Sequence, residues 1–179
     1  HSSYDEFWQK RGILQHMKNI KPAVMFVGGW FDAEDLYGPL NTYSTIEKSS
    51  KNYNTIVMGP WSHGDWANNS EKQVIGNINF GDSISGCYQK NIEANFFRHF
   101  FKENGKSVNK LPEAYVFDTG NKDWKTFDSW PPKNTEKQVY YLQGNEKMSN
   151  NNTDAGFEEF MSDPKKPVPH TEDIKQRGL

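Results

Sequence analysis

Residues 23–35, which read AVMFVGGWFDAED, decide the fold predicted for this chain. The apolar run at 23–27 has the length of a strand and is bounded by Pro22 and Gly28. A continuous apolar run of this length is typical of a strand that is buried on both faces, as in a parallel sheet. The stretch therefore predicts a buried strand that ends in a glycine turn carrying Asp32.

A second stretch, residues 54–64, repeats the pattern as NTIVMGPWSHG and carries His63 in the turn after the strand. Between the two runs, apolar residues from Leu36 to Lys48 recur at the spacing of an amphipathic helix. The order of strand, helix and strand is the alternation of an α/β fold with a parallel sheet. We therefore predict an α/β architecture.

Asp32 and His63 are candidates for acid–base chemistry because each follows a predicted strand. In open parallel sheets, the working loops lie beyond the carboxyl ends of the strands. Imidazole titrates near neutral pH and suits a general base, and a shielded carboxylate holds such a base in the right tautomer. An acid that precedes its histidine also agrees with the triad order of α/β-hydrolases. The pattern indicates two members of a catalytic triad, with a structural aspartate and a loop histidine as the alternative.

No nucleophile for such a triad is visible in the sequence. The motif Gly-x-Ser-x-Gly does not occur, and its nearest imitation, GDSISG at residues 81–86, has the wrong spacing and follows His63. Ser62 is adjacent to His63, and neighbouring side chains in an extended loop point apart. The nucleophile is therefore expected upstream of these residues.

Five other residues of the two loops are candidates for substrate binding. Glu34 and Asp35 lie near the start of the predicted helix, where negative charge is favourable, or they form an acidic patch for a substrate ammonium group. The aromatic residues Trp30, Tyr37 and Trp61 are candidates for lining a pocket, with a plain core role as the alternative.

The remainder of the chain is predicted to be more irregular. Residues 66–85 are polar and Gly-rich and are predicted to form a loop. From Tyr88 to Phe101, apolar residues recur every four positions and predict a helix, which residues 102–106 end as a linker. After Pro112, three short strand candidates separated by turn residues predict an all-β unit.

The composition indicates an ordered protein without an obvious charged partner. The chain has 179 residues, 15% of them aromatic, and a formal net charge of −2. This balance does not favour nucleic acid or an anionic membrane as a partner, and no apolar run is long enough to span a bilayer. The single cysteine, Cys87, cannot form an internal disulfide and is predicted to be a small buried hydrophobe.

The two loops together resemble a superfamily of serine hydrolases. Residues 28–38, GGWFDAEDLYG, and residues 58–64, MGPWSHG, are similar to the α-amino-acid ester hydrolases. These enzymes belong with cocaine esterase, glutaryl cephalosporin acylases and X-prolyl dipeptidyl peptidases. Residues 162–169, SDPKKPVP, resemble a segment of the β-domain of the same enzymes.

The resemblance implies a role for each loop and a division of the chain. It implies that Asp32 is the triad acid, that His63 is the base, and that the carboxylates after Asp32 bind an α-ammonium group. Residues 1–106 would be the last part of an α/β-hydrolase domain, and residues 107–179 the first part of a jelly-roll β-domain. No cofactor and no metal are implied. Because the nucleophile is missing, the chain alone is expected to be inactive.

The resemblance also implies a small ester, amide or β-lactam substrate with an α-amino group. A homo-oligomer is expected because a split hydrolase sheet would expose an unpaired strand edge and apolar faces. The charge balance predicts no nucleic acid or membrane partner. An acylase or X-prolyl dipeptidyl peptidase of the same superfamily, and a non-catalytic β-module that binds carbohydrate or protein, are the alternatives. A periplasmic or secreted location is favoured by the resemblance, and a cytoplasmic one stays open.

Overall fold

The computed structural model describes residues 3–68, 71–102, 111–144, 146–152 and 157–168. The chain divides into two compact units, His1–Pro132 and Lys133–Gly178, which are described separately below. Among the described residues, no helix has both the length and the apolar character that crossing a bilayer requires.

The first unit contains most of the regular structure. Its strands are β1 (Val24–Gly29), β2 (Asn54–Gly59), β3 (Lys72–Ile75), β4 (Ile78–Asp82), β5 (Ala114–Asp118) and β6 (Asp123–Phe127). Its α-helices are α1 (Glu6–Gln9), α2 (Tyr37–Ser49), α3 (Ile84–Cys87) and α4 (Ala94–Phe97). Short 3₁₀ turns occupy Ile13–His16 and Asp65–Ala67, and π-helical turns occupy Tyr88–Glu93 and Arg98–Lys102.

A four-stranded sheet in the order β1-β2-β5-β6 organises this unit. β1 and β2 are parallel and pair from Val24 with Asn54 to Gly29 with Gly59. β2 is also parallel to β5, whereas β6 returns antiparallel to β5. Every residue of β2 is buried, including the polar Asn54 and Thr55, and the apolar run at 56–58 agrees with this burial.

Helices cover the two faces of β2. Ile56 and Met58 pack in one core cluster with Tyr43 of α2. Val57, which points to the opposite face, packs in the other cluster with Tyr88 of the helical run that follows β4. The first unit is therefore an α/β structure with helices on both faces of a mainly parallel sheet, which confirms the α/β part of the predicted fold class.

Residues 66–85 differ from the predicted loop. They contain the antiparallel hairpin of β3 and β4, which turns at Gly76 with φ of 58°. The hairpin is held by Phe80, which is 3% exposed and whose ring centroid lies 5.2 Å from that of Phe31. A signal for this hairpin exists in the sequence, because Gly76-Asn77 between Ile75 and Ile78 is a two-residue hairpin turn.

The predicted helix near Tyr88–Phe101 is present but longer and less regular. The helical run extends from Ile84 to Lys102 and alternates between α and π turns. Its predicted apolar stripe is buried at Tyr88, Ile92 and Phe96. Cys87, at the start of this run, is partly exposed rather than fully buried. The predicted linker after Lys102 lies outside the described residues.

The strands after residue 111 are arranged differently from the predicted all-β unit. β5 and β6 extend the sheet of β1 and β2, because β5 pairs with β2 in parallel register from Ile56 with Ala114. The first compact unit accordingly extends to Pro132, and the division at residue 106 implied by the resemblance stays a prediction. The second unit contains only the hairpin of β7 (Tyr141–Gln143) and β8 (Lys147–Ser149) within its described residues.

Candidate active site

The loops after β1 and β2 are joined by main-chain hydrogen bonds. The N–H of Trp30 donates to the carbonyl of Gly59 at 2.9 Å, and the N–H of Phe31 donates to the carbonyl of Trp61 at 3.0 Å. This close approach needs glycine at position 29, because an added Cβ would lie 2.1 Å from the carbonyl oxygen of Trp61. The glycine at the end of β1 therefore allows the two loops to meet.

Asp32 is a buried and fully hydrogen-bonded carboxylate. Its Oδ1 accepts the N–H groups of Glu34 and Asp35, both at 2.9 Å, and its side chain is 2% exposed. Burial favours the neutral acid, but these two N–H groups and the His63 ring outweigh it, so the pKa of Asp32 lies below its ordinary value. Asp32 is therefore held as a fixed negative charge.

His63 contacts that charge through one ring nitrogen. Its Nδ1 lies 3.0 Å from Oδ2 of Asp32. Since an ionised carboxylate only accepts, Nδ1 carries the proton and donates it. The hydrogen bond and charge of Asp32, with a smaller contribution from Glu34, raise the pKa of His63. The ring side chain is 51% exposed, and within the described part of the chain no hydrogen bond occupies Nε2.

The two carboxylates after Asp32 do not have the same surroundings. Oδ1 of Asp35 accepts the N–H of Gly38 at 2.6 Å and so caps the first turn of α2. Glu34 is exposed, and its carboxylate makes no hydrogen bond within the described part of the chain. The predicted helix-start role applies to Asp35, and Glu34 is the carboxylate left facing solvent beside His63.

The three predicted aromatic site residues lie in different places. Trp61 is completely buried in the core, and Trp30 packs against the core and donates its Nε1–H to the carbonyl of Phe117 at 3.1 Å. Tyr37 is 68% exposed and lines an open cavity of about 860 Å³ together with Trp8 and other residues of the N-terminal segment. Of the three, only Tyr37 presents most of its side chain to solvent.

Sequence reasoning missed two residues beside His63. Trp66 lies with its ring centroid 6.2 Å from the His63 ring. Asp65 accepts the hydroxyl of Ser62 at 2.6 Å, so Ser62 is turned toward Asp65 and away from a nucleophilic role. A serine followed three residues later by an acidic residue is the sequence pattern of a capping box, but its link to the histidine loop depends on the fold.

No nucleophile is hydrogen-bonded to His63 in the described part of the chain. Ser83, in the imitation motif, lies in a turn between β4 and α3 with φ of 53°, which is a left-handed conformation. Its N–H donates to the carbonyl of Glu71 at 2.8 Å, and it belongs to a pocket that does not include His63. Across the described residues, no group of three or more His, Cys, Asp or Glu side chains is arranged to hold a metal ion.

The chain is similar in sequence to known peptidases and esterases. The family model described as X-Pro dipeptidyl-peptidase (S15 family) matches residues 1–65, which include both Asp32 and His63. Curated proteins described as serine esterases of Mycobacterium bovis and Mycobacterium tuberculosis are 23% identical over 149 residues. That match covers 79% of this chain and 21% of each relative.

Two solved structures are similar over almost the whole chain. An aminopeptidase from a marine sediment Thaumarchaeota archaeon is 28% identical, with a TM-score of 0.82 over 96% of this chain and 28% of its own. An α-amino acid ester hydrolase is also 28% identical, with a TM-score of 0.80 over 94% of this chain and 29% of its own. The chain thus spans about a fifth of the length of the curated relatives that it matches.

Proposed function

We propose that this chain, which belongs to the serine hydrolase superfamily of X-Pro dipeptidyl peptidases and α-amino-acid ester hydrolases, supplies the acid and base of a Ser-His-Asp triad. The proposed reaction is cleavage of α-amino acyl esters or amides, including β-lactams with an α-amino side chain. The nucleophilic serine is proposed to come from a part of the protein outside these 179 residues.

The observation that carries the proposal is the contact of His63 with Asp32. Nδ1 of the ring is 3.0 Å from a carboxylate that is 2% exposed, while the ring itself is half exposed. This is the arrangement that a triad base requires, because the acid fixes the tautomer and the opposite nitrogen stays available.

The chemistry follows from the two ring nitrogens. Nε2 of His63 takes the proton of the serine hydroxyl as its oxygen attacks the acyl carbon. Asp32 keeps the Nδ1 proton in place and stabilises the imidazolium, and Nε2 then protonates the departing alcohol or amine. Water then attacks the acyl carbon of the acyl-enzyme while Nε2 takes a proton from it. The bond to the serine oxygen breaks, that oxygen regains the proton from Nε2, and the carboxylic acid product leaves.

The acidic side of the site supports a substrate with an ammonium group. Glu34 is exposed, carries no hydrogen bond within the described chain, and is close enough to His63 to raise the pKa of the ring. An ammonium beside such a carboxylate gains charge-assisted hydrogen bonds. We assign the main ammonium contact to Glu34, because Asp35 already accepts the N–H of Gly38.

A peptidase of the same superfamily is the second candidate. The family match at residues 1–65 is to X-Pro dipeptidyl peptidases, and one similar structure is an aminopeptidase. Such enzymes also act beside a free N-terminal ammonium, so the two candidates share the proposed role of Glu34. They differ in the acyl group, which a comparison of an X-Pro dipeptide amide with an α-amino acyl ester separates.

The test uses the parent protein, meaning these residues together with the sequence upstream. We expect Asp32→Asn to lower kcat by on the order of 10⁴-fold and His63→Ala by on the order of 10⁶-fold. The matched controls are Asp82→Asn and His16→Ala, which change an exposed residue of each type and should leave turnover unchanged. Near wild-type turnover in either site variant would contradict the triad.

A second comparison tests the ammonium role. Glu34→Gln in the parent should raise KM for an α-amino acyl ester and leave the des-amino ester unaffected. An equal loss on both esters would argue against an ammonium contact. The 179-residue chain alone should hydrolyse neither ester.

The remaining expectations stay part of the proposal. A jelly-roll domain is proposed to be built around the second unit, whose described part holds the hairpin of β7 and β8. Self-association into a homo-oligomer is likewise proposed, and sedimentation of the parent protein would test it.

A further inference from the structure

Asp65 follows His63 by two residues, and its side chain binds Ser62, the residue just before His63. Its Oδ2 accepts the N–H of Ser62 at 3.2 Å and the Ser62 hydroxyl at 2.6 Å. The backbone between them turns through Gly64 with φ of 78°. The carboxylate of Asp65 therefore closes a tight loop with His63 at its tip.

The same residue is anchored to the elements that follow. The carbonyl of Asp65 accepts the hydroxyl of Ser85, which is 1% exposed, at 3.0 Å. Gln73 of β3, which is 3% exposed, lies 3.4 Å from Oδ2. One residue further on, the carbonyl of Trp66 accepts Gln89 at 2.9 Å. The histidine loop is thus fastened to the β3–β4 hairpin and to the helical run after it.

We propose that Asp65 is a positioning residue, which holds His63 at hydrogen-bonding distance from Asp32 by closing the loop of residues 62–65. The inference rests on the proposed function for its consequence in catalysis, but not for its geometry. Asp65 touches neither a substrate nor the ring of His63, and it acts through Ser62 and the main chain.

The need for such a device follows from the exposure of His63. The side chain is 51% exposed and its one hydrogen bond in the described structure is to Asp32, so packing alone does not fix the ring. Burial favours the neutral form of Asp65, but the hydrogen bonds from Ser62, with smaller contributions from Gln73 and Asn68, outweigh it, so the pKa of Asp65 lies below its ordinary value. The carboxylate is therefore ionised at neutral pH, and its Oδ2 is an acceptor for both the N–H and the hydroxyl of Ser62.

The experiment is an NMR titration of the His63 ring in the 179-residue chain, for which no turnover is needed. The carboxylates that raise the pKa of His63 are Asp32, Glu34 and Asp35. If Asp65→Ala releases the ring from Asp32, the pKa of His63 should fall toward about 6.5. Asp65→Asn removes the charge but keeps an acceptor for Ser62, so it should stay close to wild type.

Two further variants keep the test decisive. Asn68→Ala is the matched control, because the Asn68 side chain lies 3.4 Å from Oδ1 of Asp65, whereas Ser62 binds Oδ2, and the substitution should leave the titration unchanged. If Asp65→Ala does not fold, Ser62→Ala decides instead: a lower pKa of His63 supports the proposal and a wild-type pKa overturns it. A wild-type pKa in Asp65→Ala, or an equal fall in Asp65→Asn, would likewise overturn positioning by geometry.

The consequence for turnover is measured separately in the parent protein. A misplaced base should lower kcat by on the order of 10²-fold with little change in KM, and Asp65→Asn should recover most of it. Failure of the hydrolase assignment would appear as activity that is insensitive to His63→Ala. Failure of the positioning role would appear in the ring titration, whatever the parent hydrolyses.

Discussion

Nδ1 of His63 lies 3.0 Å from Oδ2 of Asp32, and this contact joins a half-exposed ring to a side chain that is 2% exposed. The contact makes the two titrations interdependent. Because Asp32 favours the protonated ring, we expect a His63 pKa above about 6.5 in the wild-type chain and a return toward it in Asp32→Asn. NMR titration of the ring measures both values. Equal values in the two proteins would show that the contact is absent in solution.

Stability should depend on pH through the same contact. The folded-state pKa of His63 is raised, so its contribution to the free energy of unfolding is complete below the unfolded value and is lost as pH rises through the folded value. We therefore expect the difference in Tm between wild type and His63→Ala to be larger at about pH 5.5 than at about pH 9. His16→Ala, an exposed change, should show no such trend.

Gly29→Ala should destabilise the fold by separating the two loops. The added Cβ would lie 2.1 Å from the carbonyl oxygen of Trp61, which is main chain and cannot rotate away. We expect a loss of about 1–3 kcal/mol in the free energy of unfolding, measured by chemical denaturation. Gly86→Ala is the control, since its Cβ meets only Ser83 at 3.9 Å and alanine favours the helix there. Similar losses in the two variants would contradict the steric explanation.

Replacing Asp35 should lower the stability of the fold more than replacing Glu34. Asp35→Ala removes the acceptor for the N–H of Gly38 and should cost about 1 kcal/mol, whereas Asp35→Asn keeps an acceptor and should cost less. Glu34→Ala, at an exposed side chain without a hydrogen bond in the described chain, should change stability by less than about 0.5 kcal/mol. Chemical denaturation of the three variants measures these losses. A loss for Glu34→Ala as large as that for Asp35→Ala would contradict the different roles of the two carboxylates.

Ile56→Ala should be among the more costly core changes. The residue is 0% exposed at the centre of β2 and packs with Tyr43 and Met58. We expect a loss of about 2–5 kcal/mol in the free energy of unfolding from transfer and cavity effects. Ile13→Ala, at a residue that is 59% exposed, should lose less than about 0.5 kcal/mol.

The sequence predicted the elements whose signal is local. β1, β2 and α2 each have an apolar pattern that only one element satisfies, and the glycines after the strands mark their ends. The meeting of Asp32 with His63 was predictable for the same reason, because the carboxyl ends of adjacent parallel strands share one edge of the sheet.

The features that the sequence did not predict depend on contacts between residues far apart in the chain. The strand β5 has the same short apolar pattern whether it pairs with β2 or belongs to a separate β-unit, and only the pairing of Ile56 with Ala114 decides. The role of Asp65 likewise needs the folded positions of Ser85 and Gln73. The sequence left Trp61 as either a pocket residue or a core residue, and its complete burial shows that it packs in the core.

The main-chain hydrogen bond between Phe31 and Trp61 has a consequence for how this protein can change. The separation of the two loops is fixed by peptide groups and by the absence of a side chain at Gly29, so replacing other side chains in either loop leaves that separation intact. Glu34 can therefore vary without moving the bases of the loops that carry Asp32 and His63. A change at residue 34 thus acts on His63 through charge, by altering its pKa, and not through the distance between the two loops.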